Sequence, residues 1–600
     1  DEAGNLKTRT DARGKTATYR YDSLNRISQI AYDDQTVNYT WDNCANGIGR
    51  LCSVSNNNSS ITYSYDNHGR ITGKTQSQNQ GTTPLTVSHS YNTAGQRTAS
   101  LSPGGQQIYY QWSGNHINAI LINGQPLLTQ ITYEPDGQIN GWLWGNNQQN
   151  ERFYDLAGRP VIISMGFDAQ AQLPGSRYYG YDAAGRQTSA IDDIDPNQNQ
   201  RHEYDELDRL TGSQRGEPEQ NRISYSYDLN GNRSEKIKDN TTQYNYTTDA
   251  TSNQLQSQSG AQTVSYSYDP AGNLTGDGTY SHSYNAAGRR VASTNTASGQ
   301  ATGYGYDALG QRITKNLNGS TIQYFYDEQG HLTGEYDSTS QLIQEIIWLG
   351  DFPVAVLKPS ATAVTVDIFY IHADHLGTPR KITRSNDNRV VWVWESEAFG
   401  NSLPDQNPSG LGNFVFNLKF PGQYYDQETE LFYNVFRDYN PAIGRYIESD
   451  PIGLAGGANT YAYVGNNPLR YIDPPGLSGQ SSSPTYYVPG LPYAVGSPEN
   501  QALSNLLTQL YKNVSGVVNN TLDNIYNSNN DLTNSIGKIS DATGLSPQEV
   551  RDRIHNAKQN LPKSSNKRNP DCQVDVNTGE IYPEVPGGGT GDSIGNIFDE

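Results

Sequence analysis

Tyr63-Ser64-Tyr65-Asp66-Asn67-His68-Gly69-Arg70 is the stretch on which the fold turns. Its two tyrosines flank a serine, so both rings point to one face of a β-strand. Asp66 can bend its carboxylate back onto its own backbone and start a turn. Gly69 supplies the positive φ that the turn requires, and Arg70 opens the return strand. The same order of residues recurs at Tyr225-Ser226-Tyr227-Asp228 with Gly231 and Arg233, and degenerate copies run from Tyr21-Asp22 to Tyr326-Asp327. Successive tyrosines at 154, 181, 204 and 227 lie 27, 23 and 23 residues apart, and those at 284, 306 and 326 lie 22 and 20 apart. A fixed period of this kind is the signature of a repeat architecture. Each unit is a β-hairpin too small to bury a face alone. Hairpins laid side by side make one long sheet, which twists and over a dozen units should wind into a spiral.

Composition supports this reading. Hydrophobic residues make up 34% of the 600, but there are 43 Tyr, 59 Gly and 29 Pro. Tyrosine rings bury large areas while keeping a polar tip, so a β-rich, turn-rich, tyrosine-packed chain is expected. A net charge of −20 sets the surface as a whole against nucleic acid and anionic membrane. The three cysteines, Cys44, Cys52 and Cys572, make no disulfide framework. Cys44 and Cys52 share a hairpin-like context and would pair only on export; the sequence favours free thiols. No apolar run reaches the ~20 residues of a membrane span, and there is no signal peptide. The chain opens on Asp1-Glu2-Ala3-Gly4-Asn5-Leu6, a repeat motif lacking its first residue, which predicts a fragment of a longer protein.

The repeated Tyr-Asp motif closely resembles that of the Rhs/YD-repeat family, over residues 1 to about 477. The resemblance implies a mainly β fold: YD-repeat hairpins winding into a hollow shell, or cocoon, around a C-terminal toxin. On this reading residues 1–335 are the repeat shell and 336–477 an Rhs core with an autoprotease module. In that core, Ile368-Phe369-Tyr370-Ile371-His372-Ala373-Asp374-His375-Leu376-Gly377-Thr378-Pro379-Arg380 carries the family's His-Leu-Gly-Thr-Pro-Arg signature. His372, Asp374 and His375 suggest a metal cluster, but no further ligand follows at zinc-like spacing, and the segment reads as structural. The pattern continues through Leu431-Phe432-Tyr433-Asn434 and Arg437-Asp438-Tyr439-Asn440, with Asn440 where many relatives have Asp.

Two Asp-Pro-x-Gly-Leu pentads close the core, Asp450-Pro451-Ile452-Gly453-Leu454 and Asp473-Pro474-Pro475-Gly476-Leu477. On residues alone such a pentad is first of all a turn, with Asp capping, Pro fixing φ and Gly in the last position. A strand–turn–strand between them can nevertheless bring Asp450 and Asp473 face to face. Two close carboxylates do not both ionise cheaply, so one can activate water while the other donates a proton. Arg445 stands near enough in sequence to bias which one is ionised. The resemblance implies that this is an aspartyl autoprotease, with Asp450 and Asp473 as the catalytic pair, Arg445 in support, and Leu477–Ser478 as the scissile bond.

After Leu477 the composition changes. Residues 478–498 read as a linker, and the pattern to about 560 is helical, with Leu503, Leu506, Leu507 and Leu510 at three- and four-residue steps. Ser546, Pro547 and Glu549 form a capping-box start for the last helix. Val574, Val576 and Ile581 flank an Asn-Thr-Gly turn and predict a small sheet, so residues 478–600 should form an α+β domain. His555 and Lys558 share a helix face, inside a basic strip from Arg551 to Arg568. A basic strip in an acidic segment suits phosphate. His555 would act as general acid or base, with Lys558, Arg551 or Arg568 on the phosphate. As bland alternatives, the strip is a solvated helix face and Cys572 a packed thiol rather than a nucleophile. Arg568-Asn569-Pro570-Asp571, Gly579-Glu580-Ile581-Tyr582-Pro583 and Gly591-Asp592-Ser593-Ile594-Gly595-Asn596 resemble the tails of bacterial polymorphic toxins.

The expectation is therefore a secreted effector of interbacterial competition, delivered into the target bacterial cell, with a nuclease tip and no cofactor or metal. Its implied partners are a cognate immunity protein, nucleic acid as substrate, and the spike (VgrG/PAAR) and chaperone of a type VI secretion machine, met through the missing N-terminal part. The alternatives are a toxin tip with a non-nuclease activity, or a non-enzymatic adhesion protein that stacks carbohydrate on exposed tyrosines.

Overall fold

Asp66 shows why the strands turn where they do. Its Oδ1 accepts the backbone N–H groups of His68 and Arg70 at 2.9 and 3.0 Å, while Oδ2 accepts Nε of Arg70 at 2.6 Å. Asp155, Asp182 and Asp205 hold Arg159, Arg186 and Arg209 in the same way. The arginine then reaches forward. Arg70 lies 4.7 Å from the ring centroid of Tyr91, the next repeat's tyrosine, and the Tyr91 hydroxyl donates back to the Ile71 carbonyl at 2.6 Å. Arg159, Arg186 and Arg209 lie over Tyr181, Tyr204 and Tyr227 in turn. Each such link contributes about 1 kcal/mol, so repetition rather than any single contact holds the ribbon.

The computed structural model describes residues 1–477 apart from 79–82, 169–172, 217–220 and 361–364. Beyond these it describes the strands Gln480–Ser481, Cys572–Val574, Glu580–Pro583 and Gly595–Asn596. Strands Thr8–Thr10 to Val264–Ser265 form a 24-stranded antiparallel sheet, and Ser267–Tyr268 to Val390–Val393 form a 13-stranded one. In both, each strand pairs with the next in sequence. The second sheet runs through residue 335 without a break.

The ribbon returns to itself. The Asp34 carboxylate accepts the Ala286 N–H, Asn56 reaches the Tyr306 carbonyl, Lys74 the Tyr326 carbonyl and Gly104 the Glu345 carboxylate, at sequence separations of 252, 250, 252 and 241 residues. Contacts at so constant an offset define successive turns of a spiral. At ~4.8 Å between strands, a turn of some two dozen strands has a perimeter on the order of 100 Å. That far exceeds an eight-stranded barrel filled by its own side chains, so the turns enclose space. Neighbouring turns pack tip against face: Ala308 and Leu309, at a YD turn, are buried against Tyr19, Ile30 and Val54. Leu156 and Leu229, at equivalent turns, are fully exposed.

Cys44 and Cys52 are joined by a disulfide, contrary to the expectation of free thiols. The hairpin places them across one loop with their Cα atoms 5.7 Å apart, inside the range a disulfide spans. His372, Asp374 and His375 have separate partners: Thr383 Oγ1 at 2.9 Å, Arg380 at 2.8 Å and the Leu469 carbonyl at 2.8 Å.

After Val393 the chain folds onto the ribbon. Strands Tyr424–Asp426, Leu431–Asn434, Arg437–Asn440 and Arg445–Tyr446 form a four-stranded sheet, packed among Trp392, Trp394, Phe420 and Tyr463. Asp426, fully buried, ties this sheet to the ribbon through Arg312 at 2.6 Å, Lys315 at 3.1 Å and Arg290 at 3.4 Å. These cations outweigh burial and hold its carboxyl down at about 2. Contacts divide the chain into Asp1–Asn500 and Gln501–Glu600. In the second unit Cys572–Val574 pairs with Glu580–Pro583, Val574 opposite Ile581, and Gly595–Asn596 adds a third strand. Residues 478, 479 and 482–498 of the linker, the helices expected up to about 560, and His555, Lys558, Arg551 and Arg568 lie outside the described residues.

Candidate functional site: a carboxylate pair on one guanidinium

Strands Leu431–Asn434 and Arg437–Asn440 are joined by a two-residue turn, Val435-Phe436, that pairs Asn434 with Arg437. Val435 takes φ 53°, a left-handed value that a β-branched residue holds only under constraint. The constraint is visible, because Phe436 N–H donates to the Pro475 carbonyl at 3.1 Å. The turn thus clamps the second pentad. Asn434 Nδ2 donates to the Asp473 carbonyl at 2.9 Å, Arg437 Nε to that of Gly476, and Leu477 N–H returns to Asp473 Oδ1 at 2.9 Å.

The two pentad aspartates meet on Arg437. Its Nη2 stands 2.9 Å from Asp450 Oδ2 and 3.2 Å from Asp473 Oδ2, and Nη1 donates to the Thr460 carbonyl at 3.2 Å. All three side chains are almost wholly buried. Tyr446 completes the group. Its hydroxyl donates to Asp473 Oδ2 at 2.7 Å and accepts from Asn434 Nδ2 at 2.8 Å, and its ring centroid lies 3.6 Å from the Arg437 guanidinium carbon. Burial pushes the Asp450 carboxyl up to about 6 against the pull of Arg437, and Asp473 adds to the push. Asp450 therefore keeps its proton into mildly acidic solution.

Leu477 is 3% exposed. Its carbonyl and the Asp450 carboxylate face one small space beside Gly456. A methyl group added to Gly456 would collide with Asp450 Oδ2 and stand 2.7 Å from the Leu477 oxygen. Ile472 pairs with Gln480 and Tyr471 with Ser481; Ser478, the other side of the expected scissile bond, lies outside the described residues. A cleft of about 270 Å³, lined by Leu207, Leu229, Gly456, Ala458 and Asn466, opens onto Arg437 and Asp473.

The structure thus brings together Asp450, Asp473 and Leu477 as the sequence suggested. The cation at the pair is Arg437 rather than Arg445. The Arg445 side chain donates to the Asn253 carbonyl and lies over Tyr461, because residues 445 and 446 project to opposite faces of their strand. Sequence reasoning missed Arg437, Tyr446 and Asn434, although all three lie in segments matching the family pattern.

A family model described as the Teneurin YD-shell matches residues 152–468, and one described as the RHS Repeat matches residues 1–37. The chain belongs to the YD-shell family of Rhs-repeat proteins. Double-stranded DNA deaminase toxin A of Burkholderia cenocepacia (strain H111) is 30% identical over 476 residues, 70% of this chain and 32% of that protein. The "Probable deoxyribonuclease RhsB" of Dickeya dadantii (strain 3937) is 25% identical over 400 residues, 64% of this chain and 26% of that protein. The crystal structure of TcdB2-TccC3 superposes with a TM-score of 0.65 at 17% identity, over 80% of this chain and 28% of that one; this likeness concerns the fold. The chain spans about a third or less of the length of these relatives. Among the described residues no helix is long and apolar enough to cross a membrane.

Proposed function

We propose that this chain is the shell, self-cleaving core and toxin tip of an Rhs effector of interbacterial competition. The single observation that carries the self-cleavage is Leu477: its N–H sits on Asp473 and its carbonyl shares the Gly456 space with Asp450. In the reaction, protonated Asp450 hydrogen-bonds the Leu477 carbonyl oxygen. Asp473 takes a proton from a water arriving by the cleft, and the water oxygen adds to the carbonyl carbon. The tetrahedral intermediate then collapses, the Leu477–Ser478 C–N bond breaks, and the Ser478 nitrogen leaves as an amine with the proton that Asp473 took from the water. Arg437 keeps the two carboxylates together while the proton moves between them.

The names of the relatives, a DNA deaminase toxin and a deoxyribonuclease, support a tip that acts on nucleic acid; His555, Lys558, Arg551 and Arg568 are proposed as its catalytic group from the sequence alone. Delivery by a type VI secretion spike and an immunity protein in the producer are part of this proposal and follow from the resemblance to Rhs effectors. Denaturing electrophoresis of the expressed chain tests the core. Two fragments are expected, the smaller beginning at Ser478, and Asp450→Asn or Asp473→Asn should leave one. An uncut wild-type chain ends the proposal. Expression of residues 478–600 in a bacterium, followed by recovery of DNA and RNA, tests the tip. Killing with intact nucleic acid would exclude a nuclease.

A further inference from the structure

The core holds a tyrosine whose hydroxyl the reaction above does not use. Tyr446 is 1% exposed, and at such a site an unpaired hydroxyl would be costly where phenylalanine would pack as well. The Tyr446 hydroxyl is paired on both sides, accepting from Asn434 and donating to Asp473. Asn434 in turn grips the Asp473 carbonyl. Backbone and carboxylate of one catalytic residue are thus held by one relay, and the Tyr446 ring supports the Arg437 guanidinium.

We propose that Tyr446 is a positioning residue of the self-cleavage, acting through Asp473 and oriented by Asn434. This rests on the reading of the core as an autoprotease. Among the described residues, groups facing Asp473 from the elements around it include Arg437 and Asn434 on the clamping hairpin, Tyr446 on the next strand, Asp450 in the first pentad, and Tyr463. Of these, Tyr446 gives Asp473 a short donor without bringing a charge. Its hydrogen bond at 2.7 Å fixes the orientation of the carboxylate that must receive the water's proton. It also leaves Oδ1 for the Leu477 N–H, which fixes the residue to be cut.

The test is the pH profile of cutting. Full-length chains made in a short pulse of cell-free synthesis are shifted to buffers from pH 4.5 to 8, and conversion to the cut form is followed by denaturing electrophoresis. Tyr446→Phe should move the acidic limb of the rate upward by about one pH unit and slow cutting about tenfold on that limb. Asn434→Ala should move it in the same direction by less. Folding is checked by resistance of the shell to limited proteolysis. If Tyr446→Phe does not fold, the shift in Asn434→Ala decides. An unshifted limb, or a uniform fall in rate at every pH, overturns the positioning role while cutting by the wild type stands. A wild type that does not cut overturns the autoprotease reading instead.

Discussion

Asp450 and Asp473, 23 residues apart in the sequence, meet on one nitrogen of Arg437, at 2.9 and 3.2 Å. That nitrogen belongs to a fork whose other members hold the Gly476 and Thr460 carbonyls. Arg437→Lys keeps the charge but cannot span these groups. It should fold and cut at least about tenfold more slowly. Arg437→Ala leaves two buried carboxylates without their cation and should cost about 3–5 kcal/mol. Chemical denaturation and the fraction cut after a timed chase check both.

Gly456→Ala places a methyl group between Asp450 Oδ2 and the Leu477 carbonyl. Cutting should fall by about tenfold or more while the repeats fold normally, so a protease-resistant but uncut chain is the expected band pattern. Unchanged cutting would mean that the carbonyl does not need Asp450.

If the core cuts itself as proposed, Asp450, with its carboxyl raised to about 6, should make cutting depend on pH from the alkaline side. As pH rises through 6 the proton is lost, and above it the rate should fall about tenfold per unit. The same shift bears on stability. Between the ordinary carboxylate value of 3.8 and about 6 the folded chain holds a proton that the unfolded chain has released. The stabilisation linked to this group is full below 3.8 and is lost as pH rises through 6. Asp450→Asn should therefore gain stability relative to wild type between pH 4 and 7, measured by urea unfolding at each pH.

Arg70 and Arg312 offer a contrast between repeat and core. Arg70→Met removes one half-buried Asp–Arg–Tyr link and should cost about 1 kcal/mol. Arg312→Met strips the buried Asp426 of its nearest cation and should cost about 3–5 kcal/mol. Equal losses in thermal unfolding would contradict the division of labour described for ribbon and core.

The repeat was legible because its physics is local: Tyr, Asp and Gly act within one hairpin, and the period shows how hairpins add. The forward reach of Arg70 onto Tyr91 was hidden, since a motif read one unit at a time does not show what its last residue touches in the next. At the core, Asp450 and Asp473 stood out because each opens an Asp-Pro-x-Gly-Leu pentad. Arg437 did not, because nothing in Val435-Phe436 signals a left-handed turn: valine there opposes its own preference and is held by Pro475. Arg445 was the nearer arginine in sequence, and strand alternation sent it away from the pair. Cys44 and Cys52 were misjudged because composition gives no distance, whereas one loop closes theirs.

The constant offset of about 250 residues between touching turns governs how the chain is made. At a ribosomal rate of ~5–20 residues per second, the first turn waits roughly 12–50 s for the strands that seal it. Through that interval it offers an unpaired sheet margin to any other nascent chain. The pentads emerge only after the wall has a second turn, and the tip follows them. Order of synthesis alone therefore delays the meeting of Asp450 and Asp473 on Arg437 until the ribbon they fold against has been made.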